Sequence, residues 1–243
     1  MHGFVDVHSH VVPAGDDGAA TIAEGLELCR IAREAGTEIL FATPHAHAPW
    51  DHYPRTVERD RLYDESLAEM RAEVAAWGLD LRRGWEVFPS QVAGNDLDDL
   101  VLAGTRSILI EFPGSWLDLE DPIGLVVEAA EEVEAAGLVP VLAHPERCRP
   151  VADDPESVRP LAERGWILCL NAPSLVGAHG ATAERASWAL LDAGLVALAA
   201  SDGHSVARPP KLDVAYRAVR DQCGDEIALP LFDGRALPWS SSL

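Results

Sequence analysis

Phe4-Val5-Asp6-Val7-His8-Ser9-His10 opens the chain with a short apolar run that ends in two histidines spaced i, i+2. Phe4 to Val7 reads as a strand, and strand side chains alternate with period two, so His8 and His10 can face the same side at its end. Outward from this stretch the pattern continues as an alternation of apolar runs and amphipathic segments. Thr21 and Glu24 have capping-box spacing, Leu28, Ile31, Ala32 and Ala35 share one helix face, and Gly36 suits the residue just past the helix end. Further strands are expected at 39–42, 85–88, 108–112, 141–143, 167–170 and 196–200, which makes seven with the first. Helices are expected at 56–76, 125–136, 156–163, 182–192 and 211–222, the clearest stripe being Val126, Ala129, Ala130 and Val133. Several strands are continuous apolar runs, as in parallel sheets buried on both faces. Pro140 lacks a ladder donor, so the fifth strand is placed after it. Pattern alone leaves barrel and open sheet both possible. No low-complexity linker divides residues 1–243, and one α/β domain is expected.

Composition narrows the function classes. The 243 residues carry 40 acidic against 19 basic side chains, a formal charge of −21, with no basic run, so capture of a nucleic acid is disfavoured. Charges interrupt every apolar stretch short of a membrane span, and Met1-His2-Gly3-Phe4 lacks a signal-peptide pattern; no stable membrane insertion and a cytoplasmic location are expected. Cys29, Cys148, Cys169 and Cys223 are scattered, which indicates neither a disulfide framework nor a thiolate zinc site.

Metal-ligand residue types recur at the C-terminal ends of the expected strands, where α/β folds place their sites. His8 and His10 follow the first strand, His45 the second, and Glu86 lies in the third. Glu111 ends the fourth, His144 the fifth, and Asp202 and His204, again at i, i+2, the seventh. Asp17, in Asp16-Asp17-Gly18, belongs either to this set or to an ordinary turn. Imidazole and carboxylate without thiolate suit manganese, iron or zinc. Neighbouring cations of this kind activate water and clamp a phosphate. Arg147 and Arg208, shortly after His144 and His204, are placed to grip the remaining phosphate oxygens.

The ordered set His8-Ser9-His10, Asp16-Asp17-Gly18, Thr43-Pro44-His45, Glu86, Ile110-Glu111-Phe112-Pro113, His144-Pro145-Glu146-Arg147, Ser201-Asp202-Gly203-His204 and Arg208-Pro209-Pro210 resembles the polymerase and histidinol phosphatase (PHP) superfamily. Within it the chain is most similar to the manganese-dependent bacterial tyrosine-protein phosphatases of capsule and exopolysaccharide operons, over residues 4–215. The resemblance implies a distorted seven-stranded β/α barrel of PHP type and a centre of three divalent ions. Manganese is favoured, with iron, zinc or magnesium as the other candidates. It also implies His8, His10, Asp17, His45, Glu86, Glu111, His144, Asp202 and His204 as ligands, Arg147 and Arg208 as phosphate binders, and a metal-bridging hydroxide as nucleophile. The implied partner is a phosphotyrosine-bearing protein, a tyrosine autokinase of polysaccharide synthesis.

A thiol-based tyrosine phosphatase needs Cys followed six positions later by Arg, and none of the four cysteines has it. Phosphatase action on a small ester such as histidinol phosphate keeps the same motifs and is the alternative. A binuclear amidohydrolase bridged by a mid-barrel lysine does not suit a chain whose only lysine is Lys211. Nor does a closed structural metal site suit the surplus of acids and arginines. Trp50, Tyr53 and Trp116 are candidate walls for a phenyl ring, and His47 and His52 candidate proton donors; none is assigned.

Overall fold

The computed structural model describes residues 3–47 and 52–240; Trp50 lies outside them. Among the described residues the strands are β1 Phe4–Asp6, β2 Thr37–Ala42, β3 His45–His47, β4 Asp80–Arg83, β5 Glu86–Val87, β6 Ser107–Glu111, β7 Val139–Ala143, β8 Ile167–Asn171 and β9 Leu198–Ala200. The helices are α1 Ile22–Glu34, α2 Val57–Val74, α3 Leu97–Leu100, α4 Pro122–Ala135, α5 Arg149–Asp153, α6 Arg159–Glu163, α7 Gly180–Asp192, α8 Asp213–Cys223 and α9 Asp225–Phe232. Every ladder is parallel: β1-β2-β4 form one sheet and β3-β5-β6-β7-β8-β9 the other. A parallel bridge between Ser9 and Gly203 brings the ends of β1 and β9 together.

Among the described residues nine strands stand where seven were expected. The added β3 and β4 are short and polar, His45-Ala46-His47 and Asp80-Leu81-Arg82-Arg83, so apolar content did not mark them. The fifth expected strand also begins earlier, at Val139, with Pro140 inside it. Val139 donates to the carbonyl of Arg106, so the missing donor of Pro140 falls on the β8 side, before that ladder starts at Val141 and Ile167.

Burial on both strand faces follows the alternation. Ile108 and Ile110, Leu142, Leu168 and Leu170, and Ala199 pack with helix residues such as Leu28, Ala32, Val126 and Val133. Leu109, Val141, Ala143, Cys169, Leu198 and Ala200 point the other way and meet Val5, Val7 and Phe41 in a second core. Glu111 and Asn171 continue the inner rows of β6 and β8. The period that buries leucine in mid-strand thus delivers polar groups to one place at the strand ends.

Local chemistry sets the helix ends. Thr21 accepts from the N–H of Glu24, whose carboxylate accepts from the N–H of Ala20, so orphan donors at the start of α1 are satisfied. Gly36, at φ 98°, takes the left-handed turn that leads directly into β2. No helix among the described residues is long and apolar enough to cross a membrane.

Candidate metal centre

His8 and His10 follow β1, Asp17 sits on the loop before α1, and His45 and Glu86 begin β3 and β5. Glu111 ends β6, while His144, Asp202 and His204 follow β7 and β9. His144 and Asp202 are the two non-glycine residues with positive φ among those described, 46° and 51°. Left-handed backbone at two strand ends costs free energy that surrounding structure must hold, a pattern typical of functional sites.

Glu86 is the hub. Its Oε2 lies 3.1 Å from Nε2 of His8, 3.2 Å from Nε2 of His10 and 3.2 Å from Nδ1 of His45, and its Oε1 lies 3.0 Å from Nε2 of His144. Asp202 Oδ1 stands 3.4 Å from both His8 Nε2 and His204 Nδ1. Asp17 Oδ1 reaches Nε2 of His204 at 3.5 Å and of His45 at 3.7 Å, and Glu111 Oε2 lies 3.9 Å from His45 Nδ1. These nine side chains form four overlapping groups, each with its ligand atoms within 4.8 Å of one another. Asp17, left open in the sequence between ligand and turn, is in the first of them, with His10, His45 and His204.

The donor set fits divalent ions. Nδ1 of His45 and Oε2 of Glu111 are buried without hydrogen-bond partners, and Nε2 of His8 and His10 face each other at 3.3 Å. Buried polar atoms are ordinarily paired, so these inward-turned, unpartnered atoms fit the ligands of a cation.

Electrostatics sharpens the same point. Burial works against charge throughout, yet the charges of His8 and His45, with hydrogen bonds from His10 and His144, hold the Glu86 carboxyl well below its usual range. Asp202 is likewise pulled down against burial, by His8, His204 and His144. Glu111 goes the other way, driven well up by burial and then by the charges of Glu86 and Asp202. Burial also lowers His45 and His144 toward the neutral imidazole that can ligate.

Several supporting residues escaped the sequence reading. Asp16 accepts from His10 Nδ1 at 2.9 Å and from the N–H of His45 at 3.1 Å; it fixes the imidazole so that Nε2 turns to the site. Asp6 Oδ1 accepts from the N–H groups of Ser201 (3.0 Å) and His8 (3.3 Å), pinning both histidine-bearing segments, and burial pushes its carboxyl up to about 6. Asn171 donates to Asp202 Oδ2 at 2.8 Å. Arg59 spans two loops, donating to the carbonyls of Ala14 at 2.8 Å and His45 at 3.0 Å. Asn171 carried a signal, a polar residue closing an apolar strand; Asp16 stood beside the residue chosen as ligand; Arg59 carried none.

Arg147 and Arg208 lie at the rim of the same pocket, together with Trp116. Arg147 Nη1 donates to Asp202 Oδ2 at 2.8 Å and Arg208 Nη2 to the same oxygen at 3.0 Å. Tyr53 stacks on His45, centroids 5.5 Å apart and planes 5° from parallel. His52 is exposed and His47 ends β3.

Parallel α/β architecture with a clustered histidine and carboxylate pocket at the strand ends defines the class of metal-dependent hydrolase-like folds. The chain belongs to the capsular polysaccharide synthesis family CpsB/CapC, whose model matches residues 4–236. It is 31% identical over 206 residues to the tyrosine-protein phosphatase YwqE of Bacillus subtilis, covering 84% of this chain and 78% of that protein. It is 28% identical over 244 residues to the tyrosine-protein phosphatase CpsB of Streptococcus agalactiae, covering 94% and 95%. Crystal structures of YwqE and of CpsB from Streptococcus pneumoniae, described as unique metal-dependent tyrosine phosphatases, include a match with TM-score 0.77, 28% identity and coverage of 93% and 90%. The lactonase Lmo2620 of Listeria monocytogenes shares the fold, at TM-score 0.60 and 12% identity.

Proposed function

We propose that this chain is a metal-dependent phosphomonoesterase that hydrolyses phosphotyrosine on a protein. The convergence of His8, His10, Asp17, His45, Glu86, Glu111, His144, Asp202 and His204 on one pocket rimmed by two arginines carries the reading. These nine residues would hold divalent ions, three by this reading, with manganese favoured before iron, zinc or magnesium. When bound, such ions activate water near neutral pH and neutralise phosphate charge. The protein's own part is to position. Asp16 and Glu86 fix the imidazoles, and Arg147 and Arg208 orient the phosphoryl group by charge-assisted hydrogen bonds.

The two sheets form a distorted barrel of PHP type over one domain, with the Ser9 to Gly203 bridge as a point of closure. The family's place in capsular polysaccharide synthesis supports a tyrosine autokinase of that process as partner. Four unpaired cysteines suit the cytoplasm.

Hydrolysis of a phosphotyrosyl peptide by the manganese-loaded protein, with histidinol phosphate assayed alongside, tests this. Faster release from the peptide is expected. Preference for histidinol phosphate overturns the substrate assignment, and no release from either overturns the phosphatase.

A further inference from the structure

Among the described residues, Trp116 is the one apolar side chain lining the metal pocket, where the others are imidazoles, carboxylates or guanidinia. Its indole is 60% exposed. A lone exposed aromatic needs no explanation by itself, but this one is fixed in place from two sides. The ring folds back over Gly114: a Cβ there would stand 2.0 Å from the indole, so a side chain at 114 would have to displace the ring. The guanidinium of Arg147 stacks 4.8 Å from the ring centre, within cation–π range. Ser115, between Gly114 and Trp116, donates to the carbonyl of Arg147 through both N–H (2.9 Å) and Oγ (2.6 Å). Indole, Arg147 and Asp202 therefore form one connected line from solvent to the metal ligands.

We propose that Trp116 is the specificity-determining wall for the aryl ring of the substrate, stacking on it while Arg147 and Arg208 hold the phosphoryl group. The proposal rests on the phosphatase reading and adds which residue selects an aromatic ester. A phosphoryl group hydrogen-bonded to Arg147 carries its ester substituent beside the indole, where a flat ring gains contact that a flexible alkyl chain does not. Tyr53 stacks on His45 and, unlike Trp116, does not line the pocket. On its other side Trp116 borders a groove of about 380 Å³ with Leu117, Pro122 and Pro150, so the indole is a partition with space beyond it for the rest of a protein substrate.

Equilibrium binding of phenylphosphonate and methylphosphonate to the manganese-loaded protein separates stacking from phosphate recognition without requiring turnover. The wild type is expected to prefer the phenyl compound by about 3- to 10-fold. In Trp116→Ala that ratio falls toward one, and Gly114→Ala, whose methyl displaces the ring, does the same; Trp116→Phe keeps most of it. An undiminished ratio in Trp116→Ala, or no preference in the wild type, overturns the aryl wall while leaving the phosphate site standing. If the wild type binds neither phosphonate, the phosphate site itself is absent and the phosphatase reading falls with the proposal.

Discussion

Arg147 donates through Nη1 to Oδ2 of Asp202 at 2.8 Å, so the residue proposed to grip phosphate is fixed by one proposed to hold metal. Asn171 and Arg208 donate to the same oxygen, while Oδ1 faces His8 and His204. Asp202 thus joins the two halves of the site.

Substitutions on either side of this contact should separate the halves. Asp202→Ala is expected to lose bound metal and turnover together, as is His8→Ala. Arg147→Ala should lose about 10- to 100-fold in kcat/KM, the worth of charged hydrogen bonds to phosphate, while still binding manganese. Metal analysis and steady-state kinetics on the same preparations decide it; metal loss in Arg147→Ala would show that the arginine is structural.

Asp16 touches His10 and the backbone of His45 and of Gly18, and it does not line the metal pocket. Removing such an outer carboxylate typically costs about 10- to 100-fold in metal affinity. Manganese titration of Asp16→Asn should show a loss in that range, and an unchanged affinity would make Asp16 a simple turn residue.

Tyr63 is fully buried, its hydroxyl between the carbonyls of Ala42 (2.8 Å) and Gly84 (3.1 Å), and it accepts from the N–H of Gly84 (3.2 Å). It ties the ends of the strands that lead to His45 and Glu86. Tyr63→Phe leaves those groups short of a partner, and urea denaturation should report about 1–3 kcal/mol of lost stability.

His179 should contribute one component of acid sensitivity. Burial, then the charge of Arg147, lowers its pKa to about 4, with Arg208 and His144 acting in the same direction and Asp202 against. Its Nδ1 lies 2.9 Å from Ser174 Oγ, which donates to Glu146 at 2.7 Å. Between about pH 4 and 6.5 the unfolded chain takes up a proton that the folded chain does not, so this contribution is complete above the window and lost as pH falls through it. The stability difference between wild type and His179→Asn, measured in urea at equal manganese, should shrink from pH 7 to pH 4.5. A constant difference would contradict the assignment.

Most of the strands legible in the sequence carried apolar runs, because burial on both faces leaves that mark, and β1 and β5 were legible despite Asp6 and Glu86. β3 and β4 left none, since their polar residues serve the site and a sheet edge. The convergence of the nine proposed ligands was legible because His, Asp and Glu at successive strand ends have a chemistry that packing does not require. Asp16, Asn171 and Arg59 act through other residues, and only three-dimensional contact distinguishes an outer carboxylate from a turn or a bridging arginine from a surface one.

The metal content of the manganese-dialysed chain, set beside that of Asp202→Ala, bears most directly on the centre itself. About three ions per wild-type chain, falling sharply in the variant, is the expected result. A wild type that retains none, or a variant that retains as many, would contradict it.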